Sequence, residues 1–238
     1  MKMRKNYGVI AAGGLGTRLK TFKDNIHTKV LIELNGLSMI STQINQLKSW
    51  GIDDFIVITN PEFDDLIRKD LYKNFQNENI SFAIQNSPNG IADALSCTEN
   101  LLEEDSIITF VLGDNFFGSN PIKEINFEKF SGAHLFLKEV SNPEEFGVIE
   151  IDSNNKPVNL HEKPQKFISS LAVVGLYLYE TSCFNNIRTL SPSNRGELEI
   201  TDLNKIYLSE GDVDFSVLSS WWIDAGTEER INELRRLI

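Results

Sequence analysis

The chain has 238 residues, of which 41% are hydrophobic, 10% aromatic and 24% charged. These are globular values and exclude a disordered or fibrous chain. Its 23 Lys and Arg against 34 Asp and Glu leave a formal charge of −11, which repels nucleic acid and anionic lipid as general partners but leaves room for a local basic pocket.

Met1 to Lys5 is basic and Tyr7–Ala12 is apolar. The apolar stretch is too short for a secretion signal and runs into glycines, so it reads as a first buried strand. No apolar run nears the ~18 residues of a membrane span. Cys97 and Cys183 match no zinc or redox spacing and read as two reduced thiols, so the expected address is the cytoplasm.

Ser38–Trp50 reads as a helix closed by Gly51, Ile52–Thr59 as a strand, Pro61–Phe75 as a helix and Ile80–Gln85 as a strand. After the turn Ser87-Pro88-Asn89-Gly90, Ile91–Leu102 reads as a helix and Ser106–Leu112 as a continuously apolar strand. This alternation predicts a parallel sheet covered on both faces. Beyond it, Ala133–Val140, Gly147–Ile151, Val158–Glu162 and Leu171–Tyr179 read as strands, Thr181–Leu190 and Glu199–Ser209 as helices, and Val213–Leu218 and Trp221–Ile223 as short strands. Thr227–Leu237 is a last helix with Thr227 as its cap, Glu228 and Glu229 in its first turn, and Arg235 and Arg236 in its last, the charge order that suits the helix dipole.

Three glycines, Gly13, Gly14 and Gly16, directly follow the first strand, and Arg18 comes two residues later. Such a loop lets backbone N–H groups approach a phosphate. The dinucleotide fingerprint fails because Leu19 stands where a third glycine belongs, which argues against a nicotinamide-dependent dehydrogenase. Gly16-Thr17-Arg18 is not a Walker ending either. The plain alternative is a tight turn with no ligand. Arg18 and Lys29 offer positive charge near the loop, as a fork and a point charge.

In AAGGLGTRL (11–19), KVLIEL (29–34), QNSPNGIADAL (85–95), VLGDNFFG (111–118), FGVIE (146–150), EKP (162–164), VVGLYLYE (173–180), RGELEITDLN (195–204) and WIDAGT (222–227), the chain resembles the sugar nucleotidyltransferases, above all their thymidylyl-transferring branch. The stretches span nearly the whole chain in the family's order. The resemblance implies an α/β fold: a Rossmann-like mixed, mostly parallel sheet flanked by helices, with an inserted β-rich sugar-binding part. It implies one domain, 1–238, with a nucleotide-binding part at about 1–118 and 213–238 and a sugar-binding part at about 119–212. The implied reaction joins a nucleoside triphosphate, dTTP in first place, to a sugar 1-phosphate, glucose 1-phosphate in first place, releasing pyrophosphate with Mg2+ as cofactor.

By resemblance, Asp114 and Asp224 are the metal pair, each placed just after a strand. Arg18, Lys29, Lys163 and Arg195 are the catalytic cations: the first two for the triphosphate, the last two for the sugar phosphate. Ala12, Gly13, Gly14, Gln85, Gly90 and Asp114 are nucleotide positions, and Gly147, Glu162, Lys163, Val173 and Tyr177 are sugar positions. Each has a plain alternative: Asp114 and Asp224 as turn residues, and Glu162-Lys163 as an exposed pair worth little. Gln85 does not choose its base, because a glutamine amide can turn over to serve thymine, uracil or cytosine.

His27, His134 and His161 show no ligand spacing. Trp221-Trp222 reads as core or subunit contact, and Phe116-Phe117 as pocket or core. Lys20-Thr21, Glu33 and Leu37-Ser38 stand where the family usually has prolines, which loosens loops but removes no charge. With Ile238 as the last residue, the oligomer contacts and regulatory nucleotide site of longer members are not expected. A CTP- or UTP-dependent enzyme for another phosphate, sugar or not, and a non-catalytic nucleotide-sugar-binding regulator are the alternatives. A homodimer is the default assembly.

Overall fold

The computed structural model describes residues 4–14, 28–154 and 156–238. The elements run β1 (Asn6–Ala11), β2 (Glu33–Leu34), β3 (Leu37–Ser38), α1 (Met39–Ser49), β4 (Asp54–Thr59), α2 (Asp64–Asn74), β5 (Asn79–Ile84), α3 (Ile91–Ser96), β6 (Ile107–Leu112) and β7 (Asn115–Phe117). They continue with β8 (Ala133–Glu139), β9 (Gly147–Ile151), β10 (Pro157–Glu162), β11 (Leu171–Glu180), α4 (Cys183–Ile187), α5 (Ile200–Glu210), β12 (Val213–Val217), β13 (Trp222–Asp224) and α6 (Glu228–Leu237).

One mixed sheet runs in the order β10-β9-β11-β6-β1-β4-β5, with β8 also on β11 and β12 on β8. Strands β6, β1, β4 and β5 pair in parallel, whereas β11 joins β6, β8 and β9 antiparallel. The expected Rossmann-like sheet flanked by helices is therefore borne out.

The period of two along each strand divides the core. Val9, Ile56, Ile108 and Tyr179 bury on one face under α3, α4 and α5, and Ile10, Val57, Val111 and Leu178 on the other under α1 and α2. Chain order runs from β1 to β4 to β5 on one side and returns to β6 on the other. The order in which the chain adds strands thus reverses between β1 and β6, and a crevice opens there at the carboxyl ends of the strands. Gly113 donates its N–H to Ala11 O at 3.0 Å across that point.

Several boundaries differ from expectation for local reasons. The helix expected over 91–102 stops at Ser96, where Thr98 Oγ1 donates back to Leu95 O at 2.7 Å, and a 3-10 turn, Glu99–Leu101, follows. The helix expected from Pro61 begins at Asp64, because Asn60 Oδ1 first accepts from the Phe63 N–H. The helix expected over 181–190 is α4 alone.

The strand expected at 221–223 lies outside the main sheet. It is β13, which includes Asp224 and pairs antiparallel with β7, Asp224 opposite Asn115. A third apolar cluster, with Ile32, Met39, Phe116, Ile223, Ile231 and Leu234, seats this ribbon against α6. Phe116 and Phe117 are thus core. No helix among the described residues is long and apolar enough to cross a membrane.

Thr227 caps α6 as expected, accepting from the Arg230 N–H. Replacing Thr227 with Ala should cost about 1 kcal/mol, which is a fall of roughly 2–4 °C in Tm for a chain of this size. Thermal denaturation measures this, and an unchanged Tm would show that the cap contributes nothing.

Candidate active site

The crevice holds a cavity of about 430 Å3. Gly14, after β1, and Lys29 line one wall. Asp114 after β6 and Asp224 at the end of β13 line the floor. Gly147, Glu162, Lys163, Val173, Tyr177 and Arg195 line the wall built from β9, β10, β11 and the segment before α5. Every expected metal and sugar residue therefore meets in one space, together with three of the four expected cations. Arg18 and His27 lie outside the described residues.

The aspartates converge because of the ribbon. Ala225 N–H donates to Asp114 O at 2.7 Å, which ties the residue after Asp224 to Asp114. Asn115, which the sequence reading passed over, is the hub. Its Oδ1 accepts from Gly175 N–H at 3.0 Å and from Trp222 Nε1–H at 2.8 Å. Its Nδ2 donates to Asp114 Oδ1 at 2.7 Å. One buried amide thus sets the Asp114 carboxylate, strand β11 and the Trp222 ring. Trp222, expected as core or subunit contact, lines the cavity and meets Phe146 edge-on at 5.3 Å.

The charges are stored in pairs. Lys29 Nζ lies 2.5 Å from Asp114 Oδ2. Arg230 Nη1 lies 3.8 Å from Asp224 Oδ2 and its Nη2 3.2 Å from Glu145 Oε2. Arg195 is held by hydrogen bonds to Glu199, at 3.1 Å from Nε and 2.8 Å from Nη2, with Glu162 and Glu197 at 3.6 and 3.5 Å. The Glu199 bond outweighs partial desolvation and raises the Arg195 pKa, so the guanidinium stays charged. Glu162 Oε2 accepts from Thr201 Oγ1 at 2.6 Å, which leaves Oε1 near Lys163 Nζ at 3.8 Å. Burial, and then the Glu162 charge, pushes the Tyr177 phenol well up, so it stays neutral.

Lys163 has φ +43°, left-handed for a non-glycine residue, and donates its N–H to Phe146 O at 3.0 Å. Strain of this kind clusters at functional sites.

The expected nucleotide positions divide. Gly14 faces the main cavity, whereas Gly13 and Gln85 line a neighbouring cleft of about 240 Å3 with Asn60 and Pro88. Ala12 is buried and its N–H is engaged by Ile58 O at 2.8 Å. Gly90 sits at the turn before α3, with its carbonyl on the Gln85 amide. His134 bonds Ser216 Oγ and His161 bonds Glu150, both away from the cavity.

Two carboxylates on one floor suit a hard divalent ion completed by phosphate oxygens and water. The cations now lodged against each carboxylate mark where such an ion's charge fits. Among the described residues no cluster of three or more acidic, His or Cys ligands forms a full protein cage.

Residues 7–238 match the family described as nucleotidyl transferase. The chain belongs to that family. It is 38% identical to the glucose-1-phosphate thymidylyltransferase of Neisseria meningitidis, over 95% of this chain and 80% of that one. It is 32% identical to the low-salt glycan biosynthesis nucleotidyltransferase Agl11 of Haloferax volcanii, over 97% of this chain and 65% of that one. A solved Bacillus anthracis structure, assigned as a glucose-1-phosphate thymidylyltransferase and holding sucrose, superposes with a TM-score of 0.87 at 35% identity, covering 98% of this chain and 94% of that one. This nucleotidyl transferase is accordingly a sugar-phosphate nucleotidyltransferase, an enzyme of nucleotide-sugar formation in a family that generally depends on divalent metal.

Two stability predictions follow from the site. Asn115→Ala leaves the Gly175 and Trp222 N–H groups without a partner and should cost about 1–3 kcal/mol for each, read by denaturant unfolding. Lys163→Gly should be about 1 kcal/mol more stable than Lys163→Ala, because only glycine relieves a left-handed φ; equal stabilities would show that the backbone there is unstrained.

Proposed function

We propose that this nucleotidyl transferase condenses dTTP with glucose 1-phosphate to dTDP-glucose and pyrophosphate, using Mg2+. The observation that carries this reading is the convergence of Asp114 and Asp224 with Lys29, Lys163 and Arg195 on one cavity. The similarity to thymidylyltransferases supports the choice of substrates.

The chemical obstacle is repulsion, since an anionic phosphate monoester must attack an anionic α-phosphate. The monoester is already nucleophilic, so alignment and positive charge matter more than proton transfer. Lys163 and Arg195 hold the sugar phosphate. Glu162 orients the sugar by accepting from its hydroxyls, with Tyr177 and the backbone of Gly147 and Val173 completing the sugar contacts. Lys29 and Arg18 neutralise the triphosphate and the leaving pyrophosphate, with Ala12, Gly13 and Gly14 along its path. Gln85 and Gly90 form the base end.

Asp114 and Asp224 would hold the ion. When bound, Mg2+ neutralises charge on the α-phosphate and the attacking oxygen. Were Asp114 to hold the ion, Lys29, now paired with it, would be released for phosphate. Residues about 119–212 form the sugar-binding part, and 1–118 with 213–238 the nucleotide-binding part.

Asp114→Asn and Asp224→Asn should each lower turnover on the order of 100-fold or more while sparing the fold, read as pyrophosphate release alongside thermal unfolding. Near-normal rates in both would overturn the metal assignment. A panel of dTTP, UTP and CTP against sugar and non-sugar phosphates tests the substrates. Strong release with CTP and none with dTTP would overturn the thymidylyl choice.

A further inference from the structure

Gln85 is the last residue before the turn that follows β5, and its backbone N–H is tied to Thr59 O at 2.8 Å. Its side chain is nearly buried yet lines the cleft beside Gly13. The side-chain Nε2 donates twice, to Gly90 O at 3.0 Å and to Asp93 Oδ2 at 2.8 Å. Both partners are acceptors, and one is a carboxylate. An amide turned the other way would set Oε1 against both of them, so its orientation is determined by chemistry. Both Nε2 hydrogens are spent, and Oε1 accepts from no described residue.

The Gly90 anchor is itself held. Gly90 has φ +109°, and a Cβ there would lie 2.4 Å from Leu198 O, so its carbonyl direction is built into the turn. Asp93 stands in the first turn of α3, three residues on.

We propose that Asp93 is a positioning residue for base selection: it locks the Gln85 amide so that this side chain offers the cleft an acceptor alone, favouring a thymine or uracil nucleotide over a cytosine one. The proposal rests on Gln85 being the base contact. Ring N3 of thymine and uracil carries a hydrogen that Oε1 accepts. Ring N3 of cytosine is itself an acceptor, and the amide cannot turn to meet it without facing the Asp93 carboxylate. A site built to bond one N–H rejects the base that lacks it because two acceptors are left face to face. A free glutamine would serve either base; Asp93 removes that freedom.

The test measures kcat/KM for dTTP, UTP and CTP with glucose 1-phosphate, and nucleotide Kd by calorimetry, in wild type, Asp93→Asn, Asp93→Ala and Gln85→Ala. Wild type should prefer dTTP and UTP to CTP by tenfold or more. Asp93→Asn, whose amide can donate to a turned Gln85, should narrow that ratio by about tenfold, through Kd and KM with kcat for dTTP little changed. Asp93→Ala, which removes the anchor and adds no donor, should narrow it less. Gln85→Ala should abolish it.

An unchanged ratio in both Asp93 variants, with Gln85→Ala abolishing it, overturns the lock and leaves the base contact standing. An unchanged ratio in Gln85→Ala overturns the base contact and the lock with it. A wild type indifferent to the base also overturns the proposal. A loss confined to stability or kcat, equal for all three nucleotides, shows Asp93 to be structural only and overturns it as well.

Discussion

The short antiparallel pairing of β7 with β13 is the constraint on which the site depends. Asp114 and Asp224 are separated by 110 positions, yet Ala225 N–H reaches Asp114 O and Asn115 stands opposite Asp224. Neither aspartate could find the other through the main sheet, because β13 is not part of it. The ribbon is held from below by Phe116, Ile223, Ile231 and Leu234, so apolar packing of α6 becomes carboxylate geometry in the crevice. The helix that sets Arg230 beside Asp224 is thereby also, through its apolar face, part of what aligns the two aspartates.

The crevice lies where the sheet reverses order, between β1 and β6. Backbone there is drawn close by Gly113 against Ala11, and side chains on both sides point into shared space. The antiparallel strand β11 then extends the same sheet into β8 and β9. Tyr177 and Val173 can therefore face the cavity from a surface continuous with the one that carries Asp114. A rigid sheet rather than a set of loops sets the span between the two ends of the site.

Much of this was legible in the residues. Continuous apolar runs at β4 and β6 read as buried parallel strands because burial on both faces leaves no polar alternation. The Thr227 cap with its graded charges marked α6 for equally local reasons. The sugar-end residues Glu162 and Lys163 were legible only through their likeness to a family, since by themselves they resemble any solvated pair. What escaped was long-range. Asn115 serves Gly175 and Trp222, 60 and 107 positions away, and no spacing rule encodes such partners. The β7–β13 pairing escaped for the same reason, and with it the place of Asp224 inside a strand. The Ile91–Leu102 segment kept helical periodicity while Thr98 spent its hydroxyl on Leu95 O, a competition that hydrophobic pattern does not register.

Lys29 against Asp114 and Arg195 among Glu162, Glu197 and Glu199 make the resting crevice a closed set of opposite charges inside a molecule of net charge −11. Among the described residues, this pairing leaves little naked positive charge facing passing anions. A lone inorganic phosphate would have to break these pairs without supplying replacements, whereas a polyphosphate carrying its own cation would offer a substitute partner to the carboxylates. Pairing of this kind would favour ligands that come already coupled to their counter-ion over the commonest small anions.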